Sequence, residues 1–264
     1  MEQLEIAGRR IAYERAGDGP ALVLLHGGLS DHREWRRQIA ALSDDFMVVA
    51  WDAPGCGQSA DPPETFRLPE YADCLAAFID ALGLGRAHVV GLSFGGGLAL
   101  ELYRRRPTVA LTLVLASAYA GWAGSLPSAM VEQRLQQTLQ EADLPPEQWA
   151  PSWIPSLFTK EAPKEVIDEA LAIMSTIHPA GVRAMAHAFA EADLRDVLPR
   201  IQAPTLLLYG DADQRVPLDV AANLHAKIPR SKLVIMAGVG HQSNMEAPER
   251  FTAEVRAFLR SVER

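Results

Sequence analysis

The 264 residues carry 25 Lys+Arg against 33 Asp+Glu, a formal net charge of -8, with 48% hydrophobic and 22% charged residues. A chain of this length buries one substantial core, and its acidity, without a long basic cluster, argues against nucleic-acid binding. No run approaches the ~20 apolar residues of a membrane span, and the two cysteines, Cys56 and Cys74, fit neither a zinc spacing nor a disulfide framework and read as free thiols.

The opening segment MEQLEIAGRRIAYERAG has no basic-then-apolar leader, so a cytoplasmic location is expected. Leu4 to Ile6 and Arg10 to Arg15 alternate around Gly8, which predicts an antiparallel pair. Ala21 to Leu25 is continuously apolar, as a strand buried on both faces requires, and His26-Gly27-Gly28 ends it. A polar helix from about Asp31 to Leu42 follows, then a strand from Phe46 to Trp51 that runs into the tight loop Asp52 to Ser59. Tyr71 to Leu82 reads as an amphipathic helix stopped by Gly83, and His88 to Leu92 as the next strand. Further strands are predicted at Leu111 to Ser117, Thr205 to Tyr209 and Leu233 to Met236, with helices at Val216 to Ile228 and Pro248 to Leu259. Arg104-Arg105-Arg106 places positive charge at a helix C-terminus. This alternation predicts an α/β fold with a mostly parallel, helix-covered sheet.

One region breaks the pattern. Between about Gly121 and Leu198 no strand is predicted, and helical pieces are punctuated by Pro127, Pro145-Pro146, Pro151, Pro155, Pro163 and Pro179. The expected division is a core of residues 1–120 and 199–264, with residues 121–198 as an inserted helical cap. Lying over the carboxyl edge of the sheet, such an insertion sits where ligands bind, and Trp122, Trp153 and Met185 are its candidate substrate contacts.

Gly91-Leu92-Ser93-Phe94-Gly95 lies where strand turns to helix and is a G-x-S-x-G nucleophile elbow. Ser93 at its apex is the candidate nucleophile, and a serine hydroxyl needs a base that is itself oriented by an acid. Two late loops offer them: Tyr209-Gly210-Asp211-Ala212-Asp213, which supplies two carboxylates, and Gly238-Val239-Gly240-His241. Of seven histidines, His241 alone follows the final strand in a glycine-rich loop. His26 is expected to be a structural hydrogen-bonder, His32, His88 and His225 to lie at surfaces or element edges, and His178 or His187 to be a possible substrate contact in the cap. Trp35 is expected to pack.

The chain order Ser, Asp, His, together with the elbow, resembles the α/β-hydrolase fold family, specifically a serine esterase or lactonase with a helical cap. That resemblance implies an eight-stranded, mostly parallel sheet. It also implies Ser93 as nucleophile, His241 as base and Asp213 as the acid, with the backbone amides of Gly28 and Phe94 as the oxyanion hole. The Asp52 to Ser59 segment resembles the family's D-x-P-G-x-G-x-S loop and is taken as structural. Serine at the elbow argues against the family's haloalkane dehalogenases and epoxide hydrolases, which place aspartate there.

The expected activity is hydrolysis of carboxylic esters with small to medium, largely apolar groups, through an acyl-enzyme. Lactone or enol-lactone opening and C–C bond hydrolysis with the same triad are alternatives, as is a non-catalytic ligand receptor on the same fold. No metal and no organic cofactor are required by this chemistry. The expected partner is a small-molecule ester or lactone, with no nucleic acid and no membrane, for a monomer or homodimer. No arginine cluster accompanies the motifs, which argues against a dicarboxylate lactone as substrate.

Overall fold

The computed structural model describes residues 1–262. Strands β1 (Glu2–Ile6) and β2 (Arg9–Ala16) form an antiparallel hairpin whose turn residues Ala7 and Gly8 both have positive φ, 50° and 76°. That two-residue turn matches the right-handed twist of the strands it joins. β2 continues antiparallel onto β4 (Met47–Trp51), and from β4 onward every pairing is parallel: β3 (Ala21–Leu25), β5 (Ala87–Leu92), β6 (Ala110–Ala116), β7 (Thr205–Gly210) and β8 (Ser231–Met236). The eight strands lie in the order β1-β2-β4-β3-β5-β6-β7-β8.

Continuous apolar runs serve a sheet covered on both faces, because neighbouring side chains point to opposite sides. In β3, Val23 and Leu25 enter one apolar cluster while Leu22 and Leu24 enter the other. The second cluster is closed by α1 (Arg36–Leu42) and, from the far end of the chain, by α10 (Pro248–Val262), with Trp35 against Phe251 at 5.8 Å between ring centroids. The first is closed by α2 (Leu68–Ala81) and α3 (Phe94–Arg105). Arg105 and Arg106 at the end of α3 reach Asp73 and Asp80 on α2 at 2.6 and 2.8 Å.

Between β6 and β7 the described chain is helical: α4 (Ser128–Glu141), α5 (Pro146–Leu157), α6 (Lys164–Met174) and α7 (Pro179–Glu191). The remaining elements are α8 (Leu218–Lys227) and the short α9 (Ser243–Glu246). Most prolines mark helix starts, where the lost N–H is not needed: Pro127, Pro145 and Pro163 precede first turns, and Pro146 and Pro179 sit within them. Pro151 and Pro155 do not punctuate, and lie inside α5. Serine hydroxyls accompany this irregular helix, Ser152 donating to the Trp149 carbonyl at 2.7 Å and Ser156 to that of Trp153 at 2.8 Å.

The four helices attach in two ways. α5 and α6 share a second apolar cluster, built on Trp149, Trp153, Phe158, Ile173 and Met174, which Met245 of α9 joins. α7 instead joins the sheet's core through Met185 and Phe189. At its first turn Gly181 packs on Gly55 so closely that a β-carbon would lie 2.0 Å from the Gly55 carbonyl oxygen.

Two histidines expected at edges are buried. His88 lies 2.8 Å from Thr112 Oγ1 with Phe46 edge-on, and His32 Nδ1 lies 2.7 Å from Asp52 Oδ1. Period-2 reading of β5 places His88 on a covered face, which the residue type had argued against. His225 is exposed and bonds Ser231.

A β-carbon on Gly95 would stand 2.2 Å from the Leu25 carbonyl oxygen and 2.7 Å from that of His26, backbone atoms at the end of β3 and one residue beyond it. Gly95→Ala should therefore lower unfolding free energy by about 2 kcal/mol or more in urea titration. Gly83→Ala, with φ 67° but open space around it, should lose less, about 1 kcal/mol.

Candidate active site

Ser93 joins β5 to α3 with φ 52° and ψ −111°, a conformation that costs an ordinary residue about 1–3 kcal/mol. It is held from both sides: its N–H extends the sheet by donating to the Ala116 carbonyl at 2.8 Å, and its carbonyl accepts from Gly97 at 3.1 Å, opening the helix. The flanking glycines are steric requirements. A β-carbon on Gly91 would meet the Gly95 carbonyl oxygen at 2.2 Å, so only the bare backbone lets strand and helix turn this tightly.

His241 follows β8 and Asp213 follows β7, and the two meet: His241 Nδ1 lies 2.9 Å from Asp213 Oδ2. The other carboxylate oxygen accepts the backbone N–H groups of Arg215 at 2.8 Å and Val216 at 3.0 Å. Burial alone raises a carboxyl pKa, but here the adjoining His241 ring and these bonds outweigh it and hold Asp213 below its ordinary value. An ionised carboxylate only accepts, so Nδ1–H donates to it, and in the tautomer this selects Nε2 is left to accept a proton. Asp211 is engaged elsewhere, its Oδ1 accepting the Gly238 N–H at 2.6 Å.

Ser93, His241, Gly28 and Phe94 all line one cavity. Trp122, Trp153 and Met185 lie on its wall, as do Leu157, Phe189 and Cys56, whereas His178 and His187 do not. His178 lies 2.7 Å from Asp61, and His187 is 3.7 Å from Glu191. Below the glycine loop, His26 Nε2 accepts the Ala53 N–H at 3.0 Å, so its Nδ1–H donates to the Gly27 carbonyl at 2.7 Å. Burial lowers its pKa, in keeping with this neutral, fully bonded ring.

A family model described as the alpha/beta hydrolase fold matches residues 20–248. The chain belongs to the α/β-hydrolase fold family. Among solved structures, a thermophilic esterase from Thermogutta terrifontis, with malate bound, is 30% identical, covers 99% of both chains and superposes with a TM-score of 0.91. Among characterised sequences, 3-oxoadipate enol-lactonase 2 of Acinetobacter baylyi is 26% identical over 245 residues, spanning 92% of this chain and 90% of its own. A pimeloyl-(acyl-carrier protein) methyl ester esterase of Vibrio parahaemolyticus is 27% identical over 253 residues, spanning 93% and 96%. No helix among the described residues is long and apolar enough to cross a membrane.

Three features of this α/β-hydrolase were not legible in its motifs. The first is a cation pair: Arg134 of α4 and Arg215 of the loop after β7, 81 positions apart, come together at the cavity's edge, Arg134 Nη2 donating to the Arg215 carbonyl at 3.0 Å. The expectation that no arginines gather near the site is corrected here, because the pairing exists only after the inserted helices fold back.

The second is the one group among the described residues with metal-site spacing, Asp31, His32 and Asp52, whose ligand atoms lie within 4.8 Å of one another. Its oxygens are already occupied. Asp52 accepts from the His32 and Gln58 amides and the His32 ring, and Asp31 receives Arg33 at two oxygens, so the cluster fits a loop brace rather than an ion cage.

The third is Glu34, a fully buried carboxyl whose Oε1 accepts the Gly27 N–H at 3.1 Å. Its other oxygen, near Ser30 and Gln242, has no well-formed partner. Burial raises its pKa from 4.5 to about 8, so the carboxyl is neutral at pH 7 and steadies the Gly27–Gly28 loop without adding a negative charge. Because the folded pKa lies above the unfolded one, this stabilisation is complete below pH 4.5 and is lost as pH rises through about 8. Glu34→Gln should accordingly melt close to the parent at pH 5 but at least about 3 °C higher at pH 8.5 by scanning calorimetry.

Proposed function

We propose that this chain is a serine hydrolase that cleaves carboxylic esters of small to medium, largely apolar substrates through an acyl-enzyme. The observation that carries the reading is the His241–Asp213 hydrogen bond facing the same cavity as the strained Ser93. His241 Nε2 takes the proton of the Ser93 hydroxyl as its oxygen attacks the acyl carbon, and Asp213 stabilises the imidazolium that forms. The amides of Gly28 and Phe94 hold the oxyanion, each such donor being worth about 10²–10³ in turnover. The leaving alcohol collects the proton from His241, and water activated by the same ring then releases the acid.

Residues 121–198 act as the lid of this reading, roofing the cavity with Trp122, Trp153 and Met185 so that water is scarce around the acyl group. The substrate is a small molecule, and the two buried free thiols, Cys56 and Cys74, suit a reducing cytoplasm. Lactone opening is the second reading, supported by the likeness to an enol-lactonase along nearly the whole chain; it uses the same triad, with the leaving oxygen remaining tethered.

An active-site phosphonate should label Ser93 once per chain, and Ser93→Ala should abolish turnover of short p-nitrophenyl esters. Labelling elsewhere, or tight ligand binding by a wild type that turns over neither esters nor lactones, would replace hydrolysis with a receptor role. Asp213→Asn should reduce kcat by up to about 10⁴, far more than Asp211→Asn. Equal losses in the two variants would remove Asp213 from the triad.

A further inference from the structure

The cavity wall holds a charge that the reaction just described leaves unused. Arg215 stands two residues beyond Asp213, with its guanidinium carbon 4.2 Å from the Trp153 ring centroid. Its Nη1 donates to Ser156 Oγ at 3.3 Å, and this is the only side-chain hydrogen bond it makes among the described residues. A guanidinium offers five N–H donors in a planar fork, so most of them meet no protein acceptor. The acidic groups whose charge reaches it, Asp213 and Glu141, are committed to His241 and to the Trp153 indole N–H.

Neither Arg215 nor Arg134 forms an ion pair with a described carboxylate. Arg134 donates to the Tyr119 hydroxyl at 2.8 Å and to the Arg215 carbonyl, which also accepts the Tyr119 O–H. These bonds fix the Arg215 backbone, so its side chain is presented from a rigid base. The position is also selective: Arg215, Trp153 and Thr138 border both the apolar cavity beside Ser93 and an outer recess, lined mainly by polar residues, that Arg134 also lines. Burial, with Arg134 close by, lowers the Arg215 pKa to about 10, which leaves it charged at neutral pH yet short of a counter-ion. A half-buried cation without an ion-pair partner is costly, and a carboxylate received by two parallel N–H bonds is the ligand that best relieves it.

We propose that Arg215, steadied by Arg134, binds a carboxylate at the end of the substrate remote from the scissile bond, so that half-esters of dicarboxylic acids or the corresponding lactones are preferred over neutral esters. This rests on the serine-hydrolase reading and narrows its substrate class. The apolar wall takes the intervening methylene chain, and the arginine fork fixes how far the acyl carbon reaches towards Ser93.

The test compares kcat/KM for the mono-p-nitrophenyl esters of succinate, glutarate and adipate with p-nitrophenyl butyrate, pentanoate and hexanoate. At one chain length or more, the acid-bearing ester should lead its neutral partner by on the order of tenfold or more. Arg215→Gln should bring that ratio to within about threefold of unity, Arg215→Lys should retain part of it, and Arg134→Gln should shrink it. The ratio is internal to each variant, so a general loss of folded enzyme does not mimic the effect. Equal kcat/KM for acidic and neutral esters at every length, or a preference that survives Arg215→Gln, overturns the proposal. If no ester is turned over, the hydrolase reading fails, and binding decides this one. Monomethyl glutarate should then quench the tryptophan fluorescence of Ser93→Ala protein at lower concentration than methyl pentanoate, and equal midpoints would sink it.

Discussion

A serine with positive φ has to be held there, and here the holding is done by backbone against backbone. β5, α3 and the end of β3 approach so closely at Gly91 and Gly95 that carbonyl oxygens occupy the places where side chains would begin. The strain at Ser93 is thus set by the central strands of the sheet, the part of the molecule least able to relax. Everything the site does follows from that fixed point. The loops after β7 and β8 arrive at the same sheet edge because parallel strands all end on one side, and they bring Asp213 and His241 with them.

Around the serine, burial acts in three directions. It would neutralise Asp213, but two backbone amides and the imidazole keep that carboxylate ionised. It does neutralise Glu34, which holds the Gly27 amide and faces no cation, so the Gly27–Gly28 loop beside Ser93 is braced by an uncharged group. It leaves Arg215 charged and under-compensated. The two carboxyls end in opposite states because Asp213 faces the His241 ring and two backbone amides, whereas Glu34 is more deeply buried and faces no cation.

The motif residues and the succession of strands along the chain were legible because each depends on local spacing. G-x-S-x-G at a strand-to-helix junction, two loops after strands, and continuous apolar runs all speak through neighbours in sequence. Asp211 and Asp213 look alike as letters; the structure separates them by partner, Gly238 for one and His241 for the other. What stayed hidden was long-range or depended on burial. Arg134 and Arg215 meet only across the folded insertion, Glu34 reads as one more polar position on an outer helix, and His32 and His88 carry no mark that distinguishes a braced interior ring from an exposed one. Pro151 and Pro155 mislead because the rule that proline ends a helix gives way where a short helix is packed by its tryptophans.

The split attachment of the inserted helices has a consequence for how this protein can change. α7 joins the sheet's core through Phe189 and packs Gly181 on Gly55, whereas α5 and α6 gather around a second apolar cluster, shared with Met245, and present Trp153 to the chamber from it. Variation in that pair can redraw the chamber's contour while the elbow beneath stays untouched. Substitutions that reshape the chamber should therefore be borne more easily by one side of its wall than by the other.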